Sequence, residues 1–254
     1  MSGPLDALRS SVDRLAALVA PLDDSDVARP AYPADWTIAQ VCSHLGSGAE
    51  LHTRRISDLL AGVESPDDLN ERTWAAWEAK SPREAVDDGL TADTALVALL
   101  STVPPGRQAS LLVPLGPMEL PFETFVATRL AEHVVHEWDV AVALDPAAPL
   151  ASEGLDIVLD RTLWLAGLVA RPLGEARTIT IATSDPEQSI AIVVGDDEVR
   201  VESGVAIPPV DLMMPTESFV RLVYGRLDPD HTPNDVVVAD ASLLDQLRSV
   251  FPGL

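Results

Sequence analysis

The chain has 254 residues, with 40 acidic residues against 17 basic ones and a formal net charge of −23. A field of this sign repels phosphate backbones and anionic lipid surfaces, so we expect neither nucleic acid nor membrane partners. The single Cys42 cannot form an internal disulfide, and residues 1–20 lack the uninterrupted apolar core of a signal peptide, so we expect a cytoplasmic protein.

The first 145 residues contain amphipathic segments separated by proline-rich turns. A capping box of Thr37 and Gln40 marks the start of one of the longer helices. The predicted helices cover residues 5–18, 36–61, 69–79, 92–100 and 122–144. Short loops between several such helices favour an up-and-down bundle, a scaffold that commonly holds metals ligated from facing helices.

The pattern changes after the proline-containing segment 145–149, which is typical of a linker. One more helix is followed by strand-like runs and two short helices. The predicted elements are a helix over 154–170, strands over 177–183, 190–194 and 198–202, a helix over 216–224, a strand over 236–239 and a helix over 242–250. The chain is therefore predicted to be α+β, with a helical bundle over residues 1–148 and a smaller α+β domain over 149–254.

Two pairs of a carboxylate and an imidazole occur at helical i,i+4 spacing in the segment 122–144. Glu132 with His136 and His133 with Glu137 each place both side chains on one helix face. His44 could add a third ligand from a distant helix. Two histidines and one glutamate would leave one position of a zinc ion open, as in catalytic sites. Spacing alone does not choose between the two pairs.

Each of these residues also has a simpler interpretation. On the helix over 36–61, His52 lies near the middle of the apolar stripe and His44 at its edge, so position alone favours His52 as the inward-facing histidine. Glu132 could be a solvated residue paired with Arg129, an interaction usually worth under about 0.5 kcal/mol. Cys42 points to a different face from His44, and we expect it to be a buried, inert thiol.

Two motifs resemble those of the mycothiol-dependent maleylpyruvate isomerase family, whose N-terminal half belongs to the DinB-like four-helix bundles. They are Trp36-Thr37 leading to His44-Leu45, and Glu132-x-x-x-His136 followed by Trp138-Asp139. The resemblance extends over nearly the whole chain, because the order and separation of the motifs and the trailing α+β domain all agree with it. It implies an actinobacterial source, which suits the preference for arginine over lysine.

The resemblance implies a divalent metal, usually zinc. The ligands that it implies are His44, Glu132 and His136. It therefore places His133 and Glu137 at the surface or behind the ligands. Asp139, three residues after His136 on the same helix, would orient that imidazole.

The resemblance further implies an enzyme that uses mycothiol as a thiol cofactor or cosubstrate. A zinc ion can deprotonate a bound thiol. The thiolate can add to a cis enone, permit rotation and leave again, or it can be transferred to a small electrophile. An arginine of the C-terminal domain is also implied to be important for activity. Arg226 is the expected residue and Arg221 the competing one, either of which could hold a substrate carboxylate.

Two other classes of function stay open. A non-catalytic regulatory module would use the same fold to bind a metal or small ligand, although an intact set of three ligands argues against it. A zinc-dependent hydrolase would use metal-bound water, whose pKa falls to about 7 in known zinc enzymes. Such a hydrolase would need no thiol. In any of these enzymes Trp74 or Trp77 could form a wall of a substrate cleft.

Overall fold

The computed structural model describes residues 3–32, 35–174, 176–204, 210–240 and 242–253. The chain divides into two compact units, Met1–Ala148 and Pro149–Leu254. The first is mostly helical, and the second is a mixed sheet with helices. The predicted α+β class is therefore confirmed. Among the described residues, no helix combines the length and apolar character that crossing a membrane requires.

Four long helices dominate the described part of the N-terminal unit. Its elements are α1 (Pro4–Val19), α2 (Asp24–Val27), α3 (Ile38–Ala61), α4 (Leu69–Glu78), α5 (Pro82–Thr102), α6 (Pro105–Gln108), β1 (Leu112–Leu115), β2 (Met118–Pro121) and α7 (Phe122–Leu144). The long helices α1, α3, α5 and α7 pack as a ring in which α1 and α3 each lie against both α5 and α7. Apolar side chains fill the space between them.

Helix α3 begins at the predicted capping box. Oγ1 of Thr37 accepts a hydrogen bond from the amide of Gln40, and Oε1 of Gln40 accepts one from the amide of Thr37, at 3.2 and 2.8 Å. The helix ends at Gly62, whose φ of 69° lies in the left-handed region that glycine adopts readily. These boundaries place Trp36 just before the helix and His44 two turns inside it.

Helices α3 and α5 approach each other closely at two glycines. A Cβ on Gly46 would lie 2.6 Å from Cα of Gly89, and a Cβ on Gly89 would lie 2.7 Å from the carbonyl oxygen of Cys42. The buried ring of Trp77, from α4, packs against Gly46 at the same point. Backbone therefore packs on backbone two residues from His44, which holds this part of α3 against α5.

The C-terminal unit has a core of its own beneath a five-stranded sheet. Its elements are α8 (Leu155–Val169), β3 (Arg177–Ser184), β4 (Gln188–Val194), β5 (Val199–Ser203), β6 (Leu212–Pro215), α9 (Thr216–Val223), β7 (Val237–Val238) and α10 (Ser242–Val250). The strand order is β5-β4-β3-β6-β7. Strands β3 and β6 are parallel, and the other neighbouring pairs are antiparallel. Buried residues of α9 and α10, among them Phe219 and Leu247, complete this core.

Candidate metal centre

Three side chains predicted as metal ligands converge in the N-terminal unit. Nε2 of His44 on α3 lies 3.1 Å from Oε1 of Glu132 on α7. The ring centroids of His44 and His136 are 4.8 Å apart. His44 and Glu132 are more than one-third exposed, and His136 is 13% exposed. Two imidazoles and a carboxylate therefore meet at a point that is partly open to solvent.

Asp139 orients one of these imidazoles. Oδ2 of Asp139, which is fully buried, lies 2.9 Å from Nδ1 of His136. A carboxylate on one ring nitrogen fixes the ring and leaves the other nitrogen, Nε2, as the candidate ligand atom. Burial lowers the pKa of His136 from its ordinary value, although the Asp139 carboxylate opposes this effect. The neutral imidazole favoured by burial is the form that binds metals.

Glu132 is held in its charged form. Burial alone would raise its pKa, but the Arg129 guanidinium and the hydrogen bond from His44 hold that pKa well below its usual range. Nη1 of Arg129 donates to Oε2 of Glu132 at 2.8 Å. The other carboxylate oxygen, Oε1, is the one that faces His44. The sequence also allowed a solvated Glu132–Arg129 pair at the helix surface. In the structure Arg129 is buried, so the ion pair is not a solvated one.

The donor chemistry of these three side chains suits zinc. Two imidazole nitrogens and one carboxylate oxygen are ligands that zinc accepts while keeping a fourth position for water or substrate. In the described part of the chain, however, no three His, Cys, Asp or Glu side chains already form a group arranged to hold a metal ion. His44 and Glu132 bond to each other, so a metal would have to replace that hydrogen bond with two ligand bonds.

Trp36 covers the two imidazoles. Its ring centroid lies 5.2 Å from that of His44 and 6.1 Å from that of His136. The ring planes of Trp36 and His136 are only 12° apart, so these two rings are stacked. Trp36 is part of a sequence motif, but this stacking is not predictable from that motif. The capping box of α3 could have indicated it, because the residue just before a helix commonly packs back onto the first turns. The indole shields one side of the site from water.

A cavity of about 630 Å³ opens beside His44, between α3, α4 and the start of α5. This volume lies in the range of small-molecule sites, roughly 300 to 1,000 Å³. The side chains of Trp36, Trp74 and Trp77 line it, as expected for Trp74 or Trp77. Lys80 also lines it, 4.7 Å from the centre of the Trp77 ring and paired with Asp88. The cavity therefore combines aromatic walls with a cationic group.

His133 and Glu137, the other i,i+4 pair, lie away from the surface, which excludes one of the two locations expected for them and leaves the one behind the ligands. His133 is fully buried and Glu137 is 6% exposed. Oγ of Ser11 donates to Glu137 at 2.6 Å and lies 2.8 Å from Nδ1 of His133, while Nε of Arg14 donates to Glu137 at 2.8 Å. The surface alternative fails because α7 is buried on nearly every face. This pair belongs to a polar network between α1 and α7.

Two other candidates from the sequence lie in the core. His52 packs edge-on against Phe125, with 5.0 Å between ring centroids, and its Nδ1 has no hydrogen-bond partner among the described residues. Burial lowers the pKa of His52 to about 4. Cys42 is buried as predicted, and burial raises the pKa of its thiol to about 12, so it is a poor nucleophile.

The two candidate arginines lie in the C-terminal unit and are buried. Nη1 of Arg226 donates to the carbonyl oxygen of Tyr224 at 2.6 Å. Arg221 pairs with Glu217 at 2.7 Å and donates to the carbonyl oxygen of His231 at the same distance. Both guanidinium groups thus support the turn after α9. A role for Arg226 in activity, with Arg221 as the alternative, stays a prediction.

The model of a known protein family matches residues 8–141, more than half of the chain. That family is the mycothiol maleylpyruvate isomerase N-terminal domain. The chain belongs to this family. The matched region begins within α1 and ends within α7, so it contains the three convergent side chains of the candidate metal centre.

Similar proteins place limits on what family membership says about activity. Two relatives, from two strains of Mycobacterium tuberculosis, are each 28% identical to this chain over 154 residues. The aligned region is 59% of this chain and 72% of each relative. Both relatives are described as uncharacterized. The crystal structure of the mycothiol-dependent maleylpyruvate isomerase has a TM-score of 0.65 and 13% identity, covering 89% of this chain and 92% of that one. A crystal structure of a histidine-to-alanine mutant of that isomerase gives the same TM-score at 12% identity. At such identities the likeness shows a shared fold.

Proposed function

We propose that this protein is a cytoplasmic, metal-dependent enzyme that uses a low-molecular-weight thiol, of the mycothiol type, on small unsaturated or electrophilic substrates. The observation that carries the proposal is the meeting of His44, Glu132 and His136 beside the aromatic cavity. Family membership adds support, because a solved protein of the same fold is named a mycothiol-dependent maleylpyruvate isomerase. The reaction is either cis-trans isomerisation or transfer of the thiol sulfur to an electrophile.

Each residue of the site has a separate role in this proposal. His44, Glu132 and His136 would hold a divalent ion, most simply Zn²⁺. Such an ion, when bound, favours thiolate over thiol at neutral pH and so supplies the nucleophile that the chain's buried cysteine does not. Asp139, by holding Nδ1 of His136, would leave Nε2 free to act as the ligand atom. Trp36, stacked on His136 and tilted against His44, would cover one side of the ion.

The cavity beside His44 would receive the organic part of the reactants. Its three indole rings offer apolar contact surface, and the ion-paired ammonium of Lys80 and the carboxylate of Glu78 add polar groups to its wall. Separately, Arg226 of the C-terminal unit is the residue that we expect to be important for activity, with Arg221 as the alternative. Arg226→Ala is therefore expected to impair turnover while leaving metal content unchanged. Full activity of that variant would transfer the role to Arg221 or remove it.

The test is an activity screen of the zinc-loaded protein against unsaturated acids and alkylating electrophiles, with and without mycothiol. The proposal predicts product formation that requires the thiol. Hydrolysis of a substrate without thiol would instead support a zinc-dependent hydrolase. No reaction, with metal bound, would favour a non-catalytic regulatory module.

Two histidine variants of helix α3 serve as a matched pair in the same screen. His44→Ala should abolish stoichiometric metal binding and activity and leave the bundle folded, because His44 is partly exposed. His52→Ala should mainly lower stability, because His52 packs in the core against Phe125. The reverse pattern would refute the choice of ligands.

A further inference from the structure

Arg129 occupies an unusual place in the bundle, because its charged group is buried among acceptors from three helices. Only 1% of its side chain is exposed. Nη1 donates to Oε2 of Glu132 on α7 at 2.8 Å. Nη2 donates to the carbonyl oxygen of Leu45 on α3 at 2.6 Å and to Oδ1 of Asp93 on α5 at 2.8 Å. One planar cation thus joins α3, α5 and α7.

The backbone of α3 is shaped to admit this guanidinium. A Cβ on Gly48 would lie 3.1 Å from Nη1 of Arg129, so any larger residue there would press on the group. Leu45, whose carbonyl oxygen accepts from Arg129, directly follows His44 in the chain. The same guanidinium therefore contacts one proposed ligand, Glu132, directly and the backbone next to a second one, His44.

The carboxylate that anchors Arg129 is itself fixed. Asp93 is 2% exposed, and its second oxygen, Oδ2, lies 3.4 Å from Nε2 of His133. The other nitrogen of His133 lies 2.8 Å from Oγ of Ser11, which donates to Glu137. The anchor of Arg129 is therefore part of the buried network that reaches α1. A cation held in this way has little freedom to move relative to the helices.

Glu132, in contrast, depends on Arg129 for its orientation. Its side chain is 37% exposed, and its contact with His44 uses only one of its two oxygens. Without a partner on Oε2, the carboxylate could turn away from His44 into solvent. A planar guanidinium fixes direction as well as charge, which the point charge of a lysine does not.

We propose that Arg129, anchored by Asp93, is a positioning residue that keeps Oε1 of Glu132 directed at His44 and holds the His44 turn of α3 at a set distance from α7. This inference rests on the proposed metal-binding function. The simpler alternative is a buried ion pair that only stabilises the bundle. The two interpretations differ for a folded variant that keeps the positive charge at residue 129. A positioning role predicts a changed His44–Glu132 geometry in that variant, and a purely stabilising ion pair predicts an unchanged one.

The experiment compares wild-type protein, Arg129→Lys and the matched control Arg14→Lys. Arg14 also pairs with a carboxylate of α7, Glu137, but at the opposite end of the buried network. Two quantities are measured on folded protein. The first is the affinity for Zn²⁺, by competition with a chelating dye. The second, without metal, is the set of imidazole nitrogen signals of the five histidines by NMR at constant pH.

The proposal predicts that Arg129→Lys weakens zinc binding by about 10- to 100-fold, as expected for a lost partner of a ligand, and shifts the His44 signals. Arg14→Lys should change neither. Unchanged zinc affinity and unchanged His44 signals in folded Arg129→Lys would overturn the proposal, as would equal effects of both variants. If the wild type binds no zinc, the metal-binding function fails, and the His44 signals alone still decide the role of Arg129.

Arg129→Lys could lose the fold, since it alters a buried ion pair. Asp93→Asn then takes its place, because it keeps the size of the anchor and weakens its hold on Arg129. It should shift the His44 signals in the same way as Arg129→Lys and weaken zinc binding to a smaller extent. A folded Asp93→Asn protein with wild-type zinc affinity and wild-type His44 signals would contradict the proposal.

Discussion

The state of His52 predicts a specific loss of stability as pH falls. Burial lowers the pKa of His52 to about 4 in the folded protein, against about 6.5 in an unfolded chain. At pH values between these two, the unfolded chain binds a proton that the folded protein does not, so stability falls with falling pH. Linkage with these two pKa values gives a loss of about 2 kcal/mol between about pH 7.5 and pH 5.

The perturbation that tests this reasoning is His52→Leu, which removes the titrating group from a site that packs against Phe125. Urea unfolding of both proteins is followed by tryptophan fluorescence at about pH 7.5 and pH 5, with a chelator present so that metal binding does not contribute. The stability of the variant relative to wild type should improve by about 2 kcal/mol at the lower pH. A difference between the two proteins that is the same at both pH values would refute a buried, neutral His52.

The remaining predictions concern packing and the partners of the site. Gly46→Ala should destabilise the protein by about 1–3 kcal/mol in thermal unfolding, because its new methyl group meets the ring of Trp77 and α5; Gly167→Ala, where a Cβ has open space within helix α8, should be neutral or stabilising. Asp139→Asn should weaken zinc binding by about 10- to 100-fold with little loss of fold, as measured by dye competition. Ser11→Ala should cost about 1–3 kcal/mol in urea unfolding, because two buried polar partners lose their hydroxyl group.

Strong periodicity and clear end signals made most of the helices predictable. The bounds of α7 and α10 are those expected, and α3 starts directly after its predicted capping box. Helix α5 begins ten residues earlier than expected, at Pro82. A second capping box, Ser81 with Glu84, marks that start. This capping box is visible in the sequence. The apolar pattern does not indicate the same start, because charged residues interrupt it in the first turns of α5.

Short strands were harder to predict than helices. The pair β1 and β2 and the strand β6 were not expected from the sequence, and each has only four residues. Most residues of the β1–β2 hairpin are at least partly exposed, so it shows little alternation of apolar and polar side chains. Strand β6 is defined by its parallel pairing with β3, about thirty residues earlier, and by its antiparallel pairing with β7, more than twenty residues later. Both pairings depend on tertiary structure.

The candidate site could be predicted in part. Helical spacing puts Glu132 and His136 on one face, but it does so equally for His133 and Glu137. The packing of α7 separates the two pairs, since it buries His133 and leaves Glu132 facing His44. The choice of His44 over the more central His52 needed the family resemblance. The role of Arg129 could not be read from local spacing, because its anchor, Asp93, is 36 residues away on another helix.

The most direct test of a metal centre is the zinc content of the protein purified without added metal. Elemental analysis would compare wild type with Glu132→Ala and His136→Ala, and His52→Ala would serve as the control for changing a histidine outside the site. The account predicts about one zinc ion per chain in wild type and in the control, and loss of zinc in the two ligand variants. Wild-type protein that binds no metal even after incubation with zinc, or ligand variants that retain it, would contradict the account.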